Sequence, residues 1–287
     1  MDILMKNYID LGFVQIYYYS IMILIGIILG IFLVYREFKR HGYEIKVLDN
    51  MVFYTIICGL IGARLWYVLF NLSEYSKDFL EVFAVWHGGL AIHGAIFGGL
   101  LFLFFYSKKH NYSFIKIADI VMPAVLIGQI VGRWGNFFNQ EAHGGVVSRA
   151  FLEKIHIPTF IIDGMNIKGL YYHPTFFYES IFNLLILIFI LILRRNKKIK
   201  EGCIFSVYLI AYGILRFFIE SLRTDSLMLG NIRVAQLISI IFFIGGIVLL
   251  ITSILKFDYY NKPKEVKEDK VEKKKNKKKQ KNKKKVK

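Results

Sequence analysis

Apolar residues along this chain come in long uninterrupted runs, without the regular intervening polar positions of a soluble domain. The runs lie at residues 17–34, 48–70, 90–106, 117–133, 175–193, 202–220 and 234–255. Their lengths are close to the roughly 20 residues that a helix needs to cross the hydrocarbon core of a bilayer. The pattern predicts an all-α polytopic membrane protein with about seven transmembrane helices, and it argues against a soluble enzyme built around a buried core.

Lys and Arg residues concentrate in alternate connections between these runs. The connections after the first, third and fifth runs, together with the C-terminal segment, hold 28 of the 38 basic residues. Because short cytoplasmic segments are enriched in Lys and Arg, we predict that the N-terminus lies outside and the C-terminus in the cytoplasm. Residues 1–255 would form one membrane-embedded domain with small extracytoplasmic loops, the largest at about 134–174.

The formal charge of +17 is concentrated at the C-terminus, where residues 256–287 carry 16 Lys and five acidic residues. This segment has no apolar periodicity, which predicts a disordered cytoplasmic tail. A basic tail of this kind attracts the anionic headgroups of membrane lipid. No stacking platform or basic groove accompanies it, so we predict no nucleic-acid partner.

Five arginines fall within the apolar runs or at their predicted outer ends, namely Arg64, Arg133, Arg216, Arg223 and Arg233. An arginine at the middle of a span costs about 2.5–3.5 kcal/mol on insertion scales and usually marks a function or a paired structural role. Since all five lie toward the same leaflet, they predict an anionic ligand on the extracytoplasmic side.

The fourth run ends in GQIVGRWGNFFNQEAHGG, which places Arg133, Asn136, Asn139 and Glu141 in one short exit segment between glycines. An ordinary polar cap would explain one or two such residues, but not this many. A guanidinium matches a phosphate bidentately, and amides supply donors and acceptors for hydroxyl groups. The segment therefore predicts a binding site for a phosphate and hydroxyls.

Carboxylates in the fifth and sixth runs supply partners for these arginines. Glu179 lies about one turn inside the fifth run, and a buried carboxylate needs a partner. Tyr212, Arg216 and Glu220 are spaced i, i+4, i+8, with Arg223 three residues later, so all four are predicted on one helical face. A purely structural salt-bridge ladder is the alternative for this face.

His93, at the start of the third run in LAIHG, is the candidate general base, because imidazole titrates near neutral pH. The alternative is a histidine hydrogen-bonded to a neighbouring helix. His87 lies six residues earlier, a poor metal-ligand spacing on a helix, so we predict no metal site.

Five segments in order resemble the prolipoprotein diacylglyceryl transferase family: GARLWYVLFN, LAIHG, GRWGNFFNQEAHG, HPTFFYES and RFFIESLRTDSLMLG. The resemblance covers nearly the whole chain up to about residue 255. It implies transfer of the diacylglyceryl group of phosphatidylglycerol to the thiol of a prolipoprotein lipobox cysteine, with a thioether as product and glycerol phosphate as leaving group. The lipid itself is the activated donor, so no cofactor is expected.

The resemblance also implies roles for individual residues. His93, Arg133 and Arg216 would be catalytic, with His93 either the base or only a group that positions the headgroup. The substrate-binding residues would be Tyr19, Arg64, Arg133, Asn136, Asn139, Glu141, Gly144, Tyr178, Glu179, Glu220 and Arg223. The chain departs from the family at His87, where Gln is frequent, and at Ala95, where a second Gly is frequent.

Two other classes of function fit part of the pattern. A transporter or channel would explain intramembrane arginines, but it predicts polar groups through the whole membrane depth, whereas the cytoplasmic halves of these runs are almost wholly apolar. A lipid-binding protein without turnover would explain the arginines but leaves the clustered His, Arg and Glu without a purpose.

Overall fold

A computed structural model describes residues 7–12, 14–75 and 79–261. Within these residues the chain is predominantly helical, and small two- and three-residue strands occur only in the connections. The helices are α1 (Tyr18–Arg40), α2 (Ile45–Phe70), α3 (Leu72–Tyr75), α4 (Ile92–Lys109), α5 (Phe114–Asn139), α6 (Arg149–Lys154), α7 (Thr159–Gly164), α8 (Thr175–Leu193), α9 (Cys203–Leu222) and α10 (Val234–Lys256).

The strands form three small antiparallel units on the connections. They are β1 (Tyr8–Asp10), β2 (Gln15–Tyr17), β3 (Val146–Val147), β4 (Asn166–Ile167), β5 (Leu170–Tyr172), β6 (Met228–Leu229) and β7 (Ile232–Arg233). β1 pairs with β2, β6 pairs with β7, and β5 lies between β3 and β4. Two 3₁₀ turns, Phe79–Phe83 and Val85–His87, precede α4.

Six described helices, α1, α2, α5, α8, α9 and α10, are long and apolar enough to cross a membrane. The polytopic all-α architecture is therefore as predicted. The third predicted span is α4, whose 18 residues measure about 27 Å at 1.5 Å per residue, but its GG pair and terminal lysines make it less apolar than the other six. The count of seven spans, and the orientation of the termini, stay predictions.

α4 packs on α2 through glycines. A Cβ atom on Gly94 would clash with the Gly62 backbone, and one on Gly98 would clash with the carbonyl of Cys58. Since only glycine permits this backbone approach, the two helices form a closely packed pair. This contact explains the glycine-rich sequence at the start of the third predicted span.

α5 is longer than the predicted span 117–133. It includes residues 132–139 of the segment GRWGNFFNQEAHG (residues 132–144), which we call the signature. The helix continues to Asn139 and ends at Gln140, which adopts the left-handed conformation with φ of 52°. Arg133, Asn136 and Asn139 therefore occupy its last two turns and project from a rigid helix. The loop predicted at about 134–174 therefore begins only after Asn139.

The connection predicted as the largest loop, about 134–174, folds into a compact layer beyond α5. It contains α6, α7 and the β3–β5–β4 sheet. Leu152, Ile161 and Ile162 are fully buried there and pack with Phe137 of α5 and Phe176 of α8. This small core fixes the end of α5 against the start of α8, which is where the candidate site lies.

A buried carboxylate holds together the opposite end of the bundle through ion pairs and a hydrogen bond. Glu37 of α1 is fully buried and forms ion pairs with Arg40 at 2.8 Å and Arg195 at 3.0 Å, and it accepts a hydrogen bond from the phenol of Tyr260 at 3.0 Å. Residues 257–261 are thus ordered against α1, whereas the sequence placed them in a disordered tail that began at residue 256. The rest of that tail lies outside the described residues.

Polar residues are also buried in the half of the bundle that the sequence presented as almost wholly apolar. Asp119 of α5 is fully buried and accepts hydrogen bonds from the backbone N–H groups of Gly202 at 2.6 Å and Phe205 at 2.8 Å. Its carboxyl group therefore caps the first turn of α9, whose N–H groups lack partners within their own helix. Asp119 therefore has a structural role, because it links α5 to the start of α9.

Candidate functional site

Glu179 is the centre of an ion-pair cluster where α5, α8 and α9 meet. Only 1% of the residue is exposed. Its Oε1 lies 2.8 Å from Nη2 of Arg133 and accepts a hydrogen bond from the phenol of Tyr212 at 3.3 Å, and its Oε2 lies 3.0 Å from Nη1 of Arg216. One carboxylate thus holds two guanidinium groups at the same end of the bundle.

Arg216 has a second carboxylate partner on its own helix. Its Nη2 lies 2.6 Å from Oε2 of Glu220, which is also buried, and the backbone carbonyl of Glu220 accepts a hydrogen bond from Arg233. Two arginines and two glutamates therefore balance in charge. The side chains of Arg133 and Arg216 keep 22% and 16% of their surface exposed, so part of each arginine side chain is accessible from outside the bundle.

Glu141 links the two signature asparagines to this cluster. Its Oε1 accepts hydrogen bonds from Asn136 at 3.0 Å and Asn139 at 3.3 Å, and Oδ1 of Asn136 accepts a hydrogen bond from Arg133 at 3.3 Å. Glu141 is exposed, unlike Glu179. The structure brings the predicted polar groups of the signature together as one network at the rim of the ion-pair cluster.

Two glycines of the signature allow close approach of other elements to this rim. A Cβ atom on Gly135 would clash with the ring of Tyr19, which places the predicted tyrosine of α1 against the same turns of α5. A Cβ atom on Gly144 would lie 2.6 Å from Cβ of His173 and 2.9 Å from the carbonyl oxygen of Leu222. Gly144 therefore joins the signature to the start of α8 and the end of α9.

Tyr178 and Arg223 lie at the edge of the site with partners of their own. The phenol of Tyr178 is 3.3 Å from Nδ1 of His173, and burial lowers the pKa of this histidine. Arg223 follows the last residue of α9 and makes two contacts with Asp225, at 2.8 and 2.9 Å, which lower the pKa of the aspartate. Arg223 is the C-cap residue of α9, and its described ion pair is with Asp225, outside the ion-pair cluster.

Arg64 and His93 have no described contact with the ion-pair cluster. Arg64 is buried and donates its hydrogen bonds to backbone carbonyls of residues 81, 82, 88 and 89. His93 is the second residue of α4 and is exposed, with its ring 6.5 Å from that of Trp66. Arg64 thus fixes the connection that leads into α4, and the role of His93 stays a prediction.

An apolar cleft of about 320 Å³ lies between α1, α2, α4 and α5. Its walls include Gly26, Gly30, Thr55, Leu103 and Gly128. Beyond Gly128, a Cβ atom added at Gly132 would meet no atom within 4 Å. The apolar walls of the cleft suit a hydrocarbon chain, and the α5 surface at Gly132, one turn further along the helix, is also open.

No group of three or more His, Cys, Asp or Glu side chains suited to a metal ion occurs among residues 7–12, 14–75 and 79–261. The cluster can instead bind an anion, orient hydroxyl groups and stabilise negative charge that develops on a leaving group. Sequence reasoning left Tyr212 out of the binding residues, although its spacing of four from Arg216 was a usable signal.

Comparison with known proteins connects this arrangement to one family. The family model described as prolipoprotein diacylglyceryl transferase matches residues 6–252. The chain belongs to this family. The match begins before α1, extends into α10 and includes every residue of the ion-pair cluster.

Relatives named phosphatidylglycerol–prolipoprotein diacylglyceryl transferase are similar over most of their length. The Staphylococcus haemolyticus protein is 47% identical over 257 residues, which cover 88% of this chain and 90% of the relative. The Halalkalibacterium halodurans protein is 45% identical, with 85% and 84% covered, and a Staphylococcus aureus protein is 46% identical, with 90% and 92% covered. The resemblance seen in the sequence is confirmed at the level of the family.

Proposed function

We propose that this chain transfers the diacylglyceryl group of phosphatidylglycerol to the thiol of the lipobox cysteine of a prolipoprotein. The reaction would take place in the bacterial cytoplasmic membrane, with the site toward the extracytoplasmic leaflet. The observation that carries the proposal is the pair of guanidinium groups on Glu179, within a chain of this transferase family. Both arginine side chains are partly exposed.

The chemistry needs a thiolate and a stabilised leaving group. The sulfur attacks the glyceryl carbon that bears the phosphate ester, a C–S bond forms, and the C–O bond to the phosphate oxygen breaks. The thiol proton passes to a base, and glycerol phosphate leaves with the electron pair. A thiol has a pKa of about 8.5, so a nearby base or positive field increases the thiolate fraction at neutral pH.

Arg133 and Arg216 bind the phosphate in this proposal. Negative charge grows on the departing phosphate, and preorganised donors in a site of low dielectric constant stabilise it by about 3–4 kcal/mol per donor. Arg216 is favoured for the developing charge, because Glu179 and Glu220 fix its guanidinium from two sides. Asn136, Asn139 and Glu141 then bind the glycerol hydroxyls of the headgroup.

The apolar cleft accepts an acyl chain of the donor in this arrangement. Its walls come from α1, α2, α4 and α5, and the free space at Gly132 lies beside the turn that carries Arg133. A lipid with its phosphate at the arginines can therefore extend one chain along α5 into the cleft. A larger residue at Gly128 should slow transfer from long-chain more than from short-chain phosphatidylglycerol.

His93 takes one of two roles, the base that receives the thiol proton or a group that positions the headgroup. Its position at the start of α4, on the helix pair that forms one wall of the cleft, agrees with either role. His93→Gln separates them: near-normal turnover would contradict a base role, whereas a large loss of kcat that high pH restores would support it.

The proposal is tested by the release of glycerol phosphate. Purified protein should release it from phosphatidylglycerol only when a synthetic lipobox peptide is present, and Arg133→Ala and Arg216→Ala should each abolish the release while the protein stays folded. Full activity in both variants would contradict the assignment. Arg149→Ala is the matched control. Arg149 is exposed, and its described ion pairs are with Glu153 and Asp163 of the layer formed by residues 134–174.

A further inference from the structure

A second layer of polar side chains lies one helical turn deeper in the bundle than the ion-pair cluster. Gln129 precedes Arg133 by four residues on α5, Tyr208 precedes Tyr212 by four on α9, and Asn183 follows Glu179 by four on α8. Residues four apart lie on the same face of a helix. Each of the three helices that build the cluster therefore carries a polar residue directly beneath its cluster residue.

A continuous series of contacts joins Gln129 and Tyr208 to Glu179. The side-chain amide of Gln129 donates a hydrogen bond to the phenol oxygen of Tyr208 at 2.9 Å. The ring of Tyr208 is stacked on that of Tyr212, with centroids 5.6 Å apart and an interplanar angle of 4°. The phenol of Tyr212 then donates to Oε1 of Glu179 at 3.3 Å.

The burial of the layer is costly for stability. Asn183 is fully buried, and neither its side-chain nitrogen nor its oxygen has a hydrogen-bond partner in the part of the chain that the structure describes. Within the same described residues, Oε1 of Gln129 is buried without a partner as well. An unsatisfied buried polar group destabilises a fold, and an apolar residue of similar size would be more favourable there.

We propose that Gln129 and Tyr208 form a positioning pair for the transfer reaction. The pair sets the direction of the Tyr212 phenol and, through it, of the Glu179 carboxylate, and this carboxylate fixes both guanidinium groups. Gln129 and Tyr208 act through the cluster and do not touch the substrate. The proposal rests on the proposed function, because it assigns the pair to the same reaction.

The competing explanation is that these side chains only join helices, since interhelical hydrogen bonds are a general means of association in membranes. That explanation predicts a loss of stability and a loss of activity no larger than the fraction of protein that unfolds. Positioning predicts a loss of kcat that is larger than the unfolded fraction explains, in a protein that binds phosphatidylglycerol equally well.

A double-mutant cycle on Gln129→Leu and Tyr208→Phe tests the proposal in the full-length protein. The substitutions remove the two ends of one hydrogen bond and keep the aromatic stack. We expect each single variant and the double variant to lower kcat by the same factor, roughly tenfold, because partners in one network are not additive. The KM for phosphatidylglycerol should stay at the wild-type value. Each single variant leaves one buried partner unsatisfied and should lower the unfolding temperature slightly, whereas the double variant should come close to the wild type.

Asn183→Leu is a control at the same depth, and it replaces the unpartnered amide by an apolar group of similar size. We expect the unfolding temperature to stay equal or rise and kcat to stay at the wild-type value, because no described side-chain hydrogen bond joins Asn183 to the series that reaches Glu179. Ser206→Ala is the matched control, because Ser206 is fully buried on α9 and its hydroxyl bonds to the carbonyl of Gly202, one turn earlier in the chain. Its kcat should match that of the wild type.

Four outcomes would decide the matter. Wild-type kcat in Gln129→Leu and Tyr208→Phe would overturn the positioning pair, and so would losses that multiply in the double variant or an equal loss in Asn183→Leu. Absence of transfer by the wild-type protein in the same assay would instead contradict the proposed function. The two failures are therefore distinguishable.

Discussion

Glu179 should be the residue on which the candidate site depends most, and replacing it by Gln tests this directly. The substitution keeps the size of the side chain and removes the charge that faces both Arg133 and Arg216. Arg216 keeps Glu220 at 2.6 Å. Arg133 keeps a hydrogen bond to Asn136 at 3.3 Å and a contact with the Tyr212 phenol, but no carboxylate partner among the described residues. The uncompensated charge therefore resides on Arg133.

The expected cost follows from burial. Removing one partner of a buried ion pair destabilises a protein by about 3–5 kcal/mol. The lower end, about 3 kcal/mol, applies here because the Arg133 side chain is 22% exposed and part of its charge is solvated. For a chain of this size that corresponds to a decrease of about 6–12 °C in the unfolding temperature. Transfer should fall about 100-fold, since small misplacements of catalytic groups have effects of that order.

The double variant Glu179→Gln, Arg133→Gln separates charge from packing. Removing the uncompensated guanidinium should recover at least half of the lost unfolding temperature, although transfer stays absent. Thermal unfolding in detergent and transfer to a lipobox peptide are the two assays. Glu153→Gln is the control, because this exposed partner of Arg149 should contribute at most about 1 kcal/mol. Wild-type stability of Glu179→Gln, or a double variant less stable than the single one, would refute the reasoning.

Three further substitutions test neighbouring parts of the site. Arg216→Lys should lower transfer about 100-fold in a folded protein, because an ammonium cannot reproduce the planar fork between two carboxylates; wild-type kcat would contradict this. Gly144→Ala should cost about 1–3 kcal/mol in chemical unfolding, since its Cβ would lie 2.6 Å from Cβ of His173; unchanged stability would show that the loop shifts freely. Burial lowers the pKa of His173, so below about pH 6.5 the unfolded chain binds more protons and stability should fall as the pH is lowered. His173→Asn should reduce that dependence, and an identical pH profile would argue against it.

Apolar runs and buried charge made much of the architecture predictable. The long helices follow the runs because a bilayer requires about 20 apolar residues for each crossing. Arg133, Glu179 and Arg216 could be grouped from the sequence, since a charge inside an apolar segment needs a partner and these three were the nearest in depth. The same argument could not say which carboxylate pairs with which guanidinium.

The partners that the sequence did not reveal come from non-local contacts or from helix ends. Nothing in the sequence indicated that the donors of Arg64 meet carbonyls of residues 81–89, which fold back across α2. Nor did the sequence indicate that Arg223 is the C-cap residue of α9 and pairs with Asp225. Tyr260 was placed in a tail, although its phenol meets Glu37, which is 223 positions away.

The deeper polar layer could not be predicted from the sequence, for a different reason. Gln129, Asn183 and Tyr208 each look like an isolated polar residue in an apolar run, and their common depth becomes visible only when the three helices are packed together. The spacing of four residues from Arg133, Glu179 and Tyr212 was present in the sequence as a signal. This spacing alone does not predict a shared layer, because polar residues four positions apart are common on any helix.

The central claim is that this chain joins a diacylglyceryl group to a cysteine thiol, and the mass of a lipobox peptide tests it most directly. Purified protein would be mixed with phosphatidylglycerol and either a peptide that contains the lipobox cysteine or the same peptide with Cys→Ser. We predict that the cysteine peptide gains the mass of one diacylglyceryl group, with an equal amount of glycerol phosphate released, and that the serine peptide gains none. A folded, lipid-bound protein that leaves the cysteine peptide unchanged would contradict the account.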